Sequence, residues 1–408
     1  MTRKNLDLRE AIALVRAGAP LTAAERVPLR AAFGRVLAED VVATRDQPPF
    51  RASAMDGYAV RRADIAAGAV LTIVGESAAG RRYAGTIAAG EAVRIFTGAP
   101  VPEGADAVVI QENTAAKDGR VELLPDAVAM AAHIRAAGQD FTTGTRLLDA
   151  GLRLDAWRLS LAAAAGLAEV AVRARPRVCV LCTGDELALP GAVPGPDQIF
   201  ESGSAAVMAL IEQWGGEAVF VGTAADDIEA LYATLSGIEA DLIVTIGGAS
   251  VGDHDLVKPA LMRLGLVTDF VSLNLRPGKP TSFGVLADGT HVLGVPGNPA
   301  SAFVVAQLLL KPWLEAAVGV KTGGLASADP AVKAVTAVEI PANGPRESYL
   351  RATLDVTGEG RLRVTPFSDQ DSSLISVFAR TGALVRLASH APAVAVGGLV
   401  DILRLERL

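Results

Sequence analysis

Histidine is scarce in this chain, and its scarcity closes off several chemistries at once. The four histidines stand at positions 133, 254, 291 and 390, and none pairs with another at metal-ligand spacing, which argues against a histidine-built zinc centre. Cysteine is scarcer still. Cys179 and Cys182 form a CxxC, but they lie inside RVCVLCTG, a strand pattern in which a three-residue offset points the two side chains to opposite faces. Buried structural thiols are expected there, rather than a redox or zinc pair. No run of Lys or Arg builds a basic face, and the formal net charge is −7, so nucleic acid is not an expected partner. The sequence has no GxSxG elbow, no GxxxxGK[ST] loop and no GxGxxG fingerprint, which sets aside acyl transfer and hydride transfer. Aromatic residues make up only 4%, yet half the residues are apolar and 20% are charged, the composition of a soluble globular protein.

Long apolar runs are missing too. The amphipathic N-terminus (MTRKNLDLREAIALVRAG) has no signal-peptide core. The most apolar stretch, 299–318, is interrupted by Gln307, Lys311, Pro312 and Glu315. No membrane span is expected, and a cytoplasmic address follows.

What is present is organised. A length of 408 residues suggests two to four domains. Residues 1–44 read as two helices (roughly 7–17 and 22–33) and a short strand, and a helix returns in DAWRLSLAAAAG. Residues 1–44 and 144–172 are therefore expected to form a helical stalk. Between them, 45–143 alternates short apolar runs (VLTIV, AVRIF, AVVIQ) with glycines, the pattern of an inserted strand-rich domain. From 173 to 325 the strands VCVL, AVFVG, LIVTIGG and HVLGV alternate with helical patterns, which predicts a parallel α/β sheet covered on both faces. A Gly- and Ser-rich linker follows. Residues 326–408 then hold five strand-like runs and almost no helix, fitting a small C-terminal β-barrel. The fold class expected is multidomain α/β plus β.

Four strands of the α/β part end in unusual loops. One ends in Thr183-Gly184-Asp185-Glu186, and another leads to Asp226-Asp227. A third, the run DLIVTIGGASVGDHD, passes Gly247, Gly248, Ser250 and Gly252 to reach Asp253, His254 and Asp255. The fourth reaches Pro296-Gly297-Asn298-Pro299-Ala300-Ser301. In an open α/β sheet, ligands bind beyond the carboxyl ends of the strands. Glycines there let backbone amides approach an anion. The carboxylates Glu186, Asp226 and Asp255 would repel a phosphate unless a divalent cation lies between them. A proline-stiffened loop, Asn274-Leu275-Arg276-Pro277-Gly278-Lys279-Pro280, adds two cations suited to a tetrahedral oxyanion. Two loops of the strand-rich domain stand out as well: Ser53-Ala54-Met55-Asp56-Gly57, and Thr97-Gly98-Ala99-Pro100. Taken singly, each of these loops reads equally as a turn or a helix cap. Anion and metal handling is the chemistry they share.

The segments SAMDGYAV, FTGAPVPEGADAVVIQE, IRAAGQD, TGDEL, IGGASVGDHD, RPGKPTSFG and PGNPASAF occur in that order. Together they resemble the molybdopterin molybdenumtransferase family and the related C-terminal domain of gephyrin, over essentially the whole chain. The resemblance implies an enzyme that inserts molybdate into adenylylated molybdopterin with Mg2+, releasing molybdenum cofactor and AMP. It also implies a homodimer with shared sites and contacts with other molybdenum cofactor biosynthesis proteins.

By the same resemblance, Asp56, Thr97, Asp140, Glu186, Asp226, Asp255 and Lys279 would be catalytic. Thr183, Gly184, Asp185, Gly247, Gly248, Ser250, Gly252, Arg276, Pro296, Gly297, Asn298, Pro299 and Ser301 would bind substrate, with Arg351 (in RESYLR) and Ser372 from the barrel. Glu186, Asp226 and Asp255 would hold the metal. The chain departs from the family pattern at Glu201-Ser202-Gly203 (commonly Asp-Ser/Thr-Asn), Ala225 (commonly Arg), Ser272 (commonly basic) and Gln139 (commonly Glu). A molybdopterin adenylyltransferase, which would resemble the α/β part alone, and a non-catalytic scaffold of the same fold are the alternatives.

Overall fold

The first helix shows how sequence sets local structure here. α1 (Leu8–Gly18) begins where the Asp7 carboxylate accepts a hydrogen bond from the Arg9 backbone N–H, a side-chain cap for an otherwise unpaired donor. Its Leu8, Ala11 and Val15 repeat at helical spacing and are buried. The computed structural model describes residues 3–127, 133–224, 227–248, 256–321 and 332–405. Those residues divide into two units. One comprises Met1–Glu25, Gly34–Ala38 and Arg173–Leu408, the other Arg26–Phe33 and Glu39–Val172.

The smaller unit is built on a six-stranded sheet. Its strands are β1 (Gly57–Val60), β2 (Val70–Ser77), β3 (Glu91–Ile95), β4 (Ala107–Ile110), β5 (Thr114–Lys117) and β6 (Arg120–Leu123), in the order β4-β1-β3-β2-β6-β5. Its two faces hold separate cores, one around Tyr58, Val60 and Val109, the other around Ala59, Val93 and Ile95, as the two-residue alternation of a strand dictates. α2 (Ala156–Ala164) belongs to the same unit and is capped by Asp155, which accepts from the Arg158 N–H.

The larger unit carries the α/β sheet. β7 (Arg177–Thr183), β8 (Glu217–Ala224), β9 (Leu242–Ile246) and β13 (His291–Val295) run parallel. β10 (Val267–Phe270) and β12 (Ser282–Val285) extend the edge antiparallel, giving the order β8-β7-β9-β13-β12-β10. The sheet is thus mixed, with the expected four parallel strands running from one edge and the two antiparallel strands completing the other. On one face, α1, α3 (Gly203–Gln213), α6 (Pro299–Val305) and α7 (Lys311–Ala317) close a core containing Val180, Val244, Leu293 and Trp313. On the other, α4 (Ile228–Ser236) and α5 (Val257–Arg263) pack Leu231, Leu235 and Leu261 against Leu181 and Ile243. Cys182 falls in the first core. Cys179 bonds to the Glu239 carbonyl instead, so the two thiols face opposite ways, free and buried.

The chain then forms a closed barrel from β14 (Val332–Thr336), β15 (Glu347–Val356), β16 (Leu362–Pro366), β17 (Ala383–Leu387) and β18 (Leu399–Arg404), shut by pairing of β15 with β17. A two-residue strand, β11 (Leu275–Arg276), joins the barrel in parallel register, Leu275 opposite Glu347 and Arg276 opposite Ser348. That junction brings the RPGKP loop beside the barrel.

One expected element is absent. The helix anticipated over 22–33 is instead extended at Ala24–Pro28 and a single 3-10 turn at Leu29–Ala31. Pro28 accounts for this: its ring clashes with a preceding helical turn and it has no N–H to offer. Among the described residues, no helix is long and apolar enough to cross a membrane.

Candidate functional site

In the larger unit, three of the anticipated loops meet at the carboxyl ends of the parallel strands. Gly247 follows β9 with a positive φ of 93°. A Cβ there would lie 2.6 Å from the Thr183 carbonyl at the end of β7, so only glycine permits the approach. Gly297, after β13, comes so near that its own Cβ would sit 3.4 Å from the Gly247 Cα. The Gly247 N–H donates to the Val295 carbonyl, which ties the second loop to the third. Thr183 is 6% exposed, and its hydroxyl has no hydrogen-bond partner among the described residues. A buried hydroxyl without a partner at a strand end is the signature of a position that a ligand or water completes. Gly184 and Gly248 also have positive φ, and Asp185 and Glu186 are exposed beside them. Ser250, Gly252, Asp226 and Asp255 lie outside the described residues. Asp227 is accounted for as the N-cap of α4, accepting from the Ala230 N–H at 2.8 Å.

A cavity of about 530 Å³ opens beside this edge. Arg276, Lys279, Pro296, Asn298, Ser301 and Ser372, all expected at the site, line it. The RPGKP loop is pinned from both sides. The Lys279 carbonyl accepts from the N–H groups of Leu273 and Thr281, and the Thr281 hydroxyl donates to the Gly278 carbonyl at 2.7 Å. Across the cavity, the Asn298 side-chain amide donates to the Ser372 hydroxyl at 3.0 Å and the Ala300 N–H to the Ser372 carbonyl at 3.1 Å. A barrel loop and the PGNPAS turn are thereby locked together, with Pro299 in the first turn of α6, where a missing N–H costs nothing.

Arg351 does not line the cavity. It is 1% exposed. Its backbone N–H and Nε donate to Gln370 Oε1, and its Nη1 donates to the Asp371 carbonyl at 3.0 Å. Burial pushes its guanidinium below the ordinary arginine range, with the charges of Asp369 and Asp371 opposing. The other arginine of the same RESYLR motif, Arg346, is the one on the cavity wall, together with Asn343 and Gln370. None of these three was anticipated. Their placement depends on the pairing of β11 with β15, which joins segments some 70 positions apart and leaves no local signal.

Two of the departures from the family pattern, at Glu201-Ser202-Gly203 and at Ser272, have local explanations; Ala225 lies outside the described residues. Glu201 is 5% exposed; its carboxylate accepts from the Ser204 N–H at 2.7 Å, from the Ser204 hydroxyl, and from the Cys182 thiol at 3.3 Å. Burial and then the Glu201 charge push the Cys182 thiol far above its usual range, so it remains protonated. A Cβ at Gly203 would press on Ile246 at 3.3 Å and on Glu201 at 3.4 Å. The longer carboxylate and the missing side chain thus go together. The Ser272 hydroxyl accepts from the Asn5 N–H at 2.7 Å, which commits that position to anchoring the N-terminal segment.

The smaller unit holds a second cluster. The register Gly57 opposite Ile95 sets Asp56 across from the end of β3. There, Asp56 Oδ1 accepts from both the Thr97 N–H (2.7 Å) and the Thr97 hydroxyl (2.8 Å). Those two bonds, the backbone one first, hold the Asp56 carboxyl below the usual carboxylate range. Asp140 is exposed and fixed through its backbone, donating to the Gln47 carbonyl at 2.9 Å. Asp46, which the sequence did not single out, repeats the motif by accepting both donors of Thr143.

Comparisons with known proteins agree along the chain. Residues 6–166 match the MoeA N-terminal region (domain I and II), 179–316 a probable molybdopterin binding domain, and 333–405 the MoeA C-terminal region (domain IV). A molybdopterin molybdenumtransferase from Nostoc sp. is 36% identical over 93% of this chain and 88% of its own length. The chain belongs to the molybdopterin molybdenumtransferase family. A Haemophilus influenzae member is 32% identical over 93% of this chain and 94% of its own. The crystal structure of a molybdopterin biosynthesis MoeA protein from Pyrococcus horikoshii superposes with a TM-score of 0.83 at 28% identity, covering 99% of this chain and all of that one. With membership of that family, the chain is a transferase of molybdenum cofactor biosynthesis.

Proposed function

We propose that this chain transfers molybdenum from molybdate to adenylylated molybdopterin, releasing molybdenum cofactor and AMP. The observation that carries the reading is the cavity where two exposed cations, Arg276 and Lys279, face the hydroxyl-bearing Ser301 and Ser372 at the edge of the α/β sheet. A tetrahedral dianion is the guest that such a set holds. A planar guanidinium and a point-charge ammonium neutralise it, while hydroxyls and turn amides fix its orientation.

The adjoining strand ends suit the nucleotide part of the substrate. The glycine loops at 184, 247–248 and 297 let backbone come close to a phosphate, and the Thr183 hydroxyl has no partner there among the described residues. The family implies a divalent cation. Glu186 supplies carboxylate oxygen of the kind Mg2+ takes, three residues along the same loop from Thr183. We assign the cation to Glu186 with Asp226 and Asp255. When bound, it would neutralise the phosphoanhydride that must be cleaved to release AMP.

In this reading Asp56, Thr97 and Asp140 act at the site of the partner protomer in a homodimer, in the cytoplasm, beside the other enzymes of cofactor synthesis. The test is turnover in vitro: purified protein, adenylylated molybdopterin, Mg2+ and molybdate, following AMP. Molybdate-dependent AMP release is expected. Its absence, with product neither formed nor bound, would overturn the assignment.

A further inference from the structure

We propose that Arg94 is a positioning residue for Asp56: its guanidinium braces the main chain of the Asp56-Gly57 turn and leaves the Asp56 carboxylate open to a ligand. The inference deepens the function proposed above and rests on it for the part Asp56 plays in turnover.

The β1–β3 register sets Arg94 opposite Tyr58, and Phe96 follows two residues on. The guanidinium carbon lies over both rings, 5.1 Å from the centre of Tyr58 and 4.9 Å from that of Phe96. Attraction to the ring faces and the planarity of the fork together fix where its N–H groups point. Nη1 donates to the Gly57 carbonyl at 3.1 Å, and Nη2 to Gln111 Oε1 at 2.7 Å. Gln111 in turn donates its backbone N–H to the Asp56 carbonyl at 3.0 Å. A single side chain thus holds the carbonyl after Asp56 directly, and the Asp56 carbonyl through Gln111.

Several arginines of the smaller unit take carboxylate partners: Arg61 with Asp64, Arg146 with Asp40, Arg158 with Asp155. Arg94 takes neutral oxygens instead, although Asp56 is near enough to feel its charge. Asp56 Oδ1 is occupied by the two Thr97 donors, and Oδ2 accepts no hydrogen bond among the described residues. A direct ion pair with Arg94 would close that oxygen. Bracing the backbone holds the carboxylate in place and keeps Oδ2 available.

Asp46 provides the contrast within the same unit. It accepts the same two bonds, from the Thr143 N–H and hydroxyl, and these alone lower its carboxyl. At Asp56 the Arg94 charge is the last of the causes, after both Thr97 bonds. Arg94 therefore acts on Asp56 through the placement of backbone more than through its field.

The experiment compares full-length wild type, Arg94→Lys and Gln111→Ala by carbon-detected titration of the aspartate carboxyls and by steady-state turnover. Lysine keeps the charge but is a point donor that cannot span both oxygens. Gln111→Ala removes one arm of the brace at an exposed position and leaves the backbone N–H on Asp56, so its fold is expected to hold even if Arg94→Lys unfolds. In Arg94→Lys the Asp56 pKa should rise toward the ordinary value as the Thr97 bonds loosen, while that of Asp46 stays where it is. Rate at saturating substrates should fall about tenfold, roughly 1.4 kcal/mol of barrier, because a displaced group acts less well. Half-saturation for molybdate should hold. Gln111→Ala should move the Asp56 pKa and the rate in the same directions by less. An unchanged Asp56 pKa, an unchanged rate in an active protein, or equal shifts at Asp56 and Asp46 would overturn the inference. A wild type that releases no AMP, with the Asp56 pKa still rising alone in Arg94→Lys, would overturn the proposed reaction and support Arg94 as the brace of Asp56.

Discussion

Thr97 donates both its backbone N–H and its hydroxyl to one oxygen of Asp56, at 2.7 and 2.8 Å. Both bonds favour the carboxylate form, so Asp56 keeps its charge at pH values where an ordinary aspartate, with a pKa near ~3.9, has begun to lose it. Thr97→Val removes the hydroxyl and keeps the N–H, the larger of the two causes. The Asp56 pKa should therefore rise part of the way toward the ordinary value. By linkage, the Thr97 bonds contribute stability above the unfolded pKa, and that contribution is lost as pH falls through the depressed folded pKa. A carbon-detected titration of the Asp56 carboxyl in both proteins checks this. An identical pKa in Thr97→Val would show that the hydroxyl bond contributes nothing.

The same cluster shows how far the sequence could be read. Asp56 and Thr97 are 41 positions apart and were each ambiguous as turns; only the β1–β3 register brings them together. The α/β alternation was legible because apolar period alone separates a buried strand from an amphipathic helix, and the barrel strands were legible for the same reason. Antiparallel β10 and β12 were not, since VTDF and SFGV are too short to show a period. RESYLR marked the right segment but not which of its arginines faces the cavity. Period-two alternation cannot decide that where β15 curves into a closed barrel.

Gly57 sits in β1 between two neighbours, and a Cβ there would lie 1.9 Å from the Val109 carbonyl oxygen and 2.8 Å from its carbon. Backbone on both sides leaves no side chain to move aside. Gly57→Ala should destabilise the smaller unit by at least about 3 kcal/mol, at or beyond the upper end of ordinary overpacking. Calorimetric unfolding would show it, and a midpoint equal to wild type would mean that β1 can shift without loss.

The assignment of Asp56 to a partner's site predicts complementation. Asp56→Ala and Glu186→Ala homodimers should both be inactive. A verified heterodimer of the two holds one intact site, so about half of the wild-type rate per dimer is expected. A heterodimer as inactive as its parents would exclude shared sites.

Lys279 offers the sharpest contrast with Arg351, because its ammonium is on the cavity wall whereas the Arg351 guanidinium is buried behind it. The loop carbonyls around it are already satisfied by Leu273, Thr281 and the Thr281 hydroxyl, so truncating the side chain leaves the backbone in place. If Lys279 holds molybdate by a charge-assisted hydrogen bond of roughly 2 kcal/mol, Lys279→Ala should raise half-saturation for molybdate about thirtyfold. Arg351→Lys should behave differently. It loses the fork that grips Gln370 and Asp371, so Ser372 and the loop are displaced even though no ligand contact is removed. Rate at saturating molybdate should fall in Arg351→Lys more than half-saturation rises, the reverse of the pattern for Lys279→Ala. Steady-state kinetics at varied molybdate on the two variants separates a group that touches the anion from one that places its neighbours. A rise confined to half-saturation in Arg351→Lys would put that guanidinium on the ligand after all.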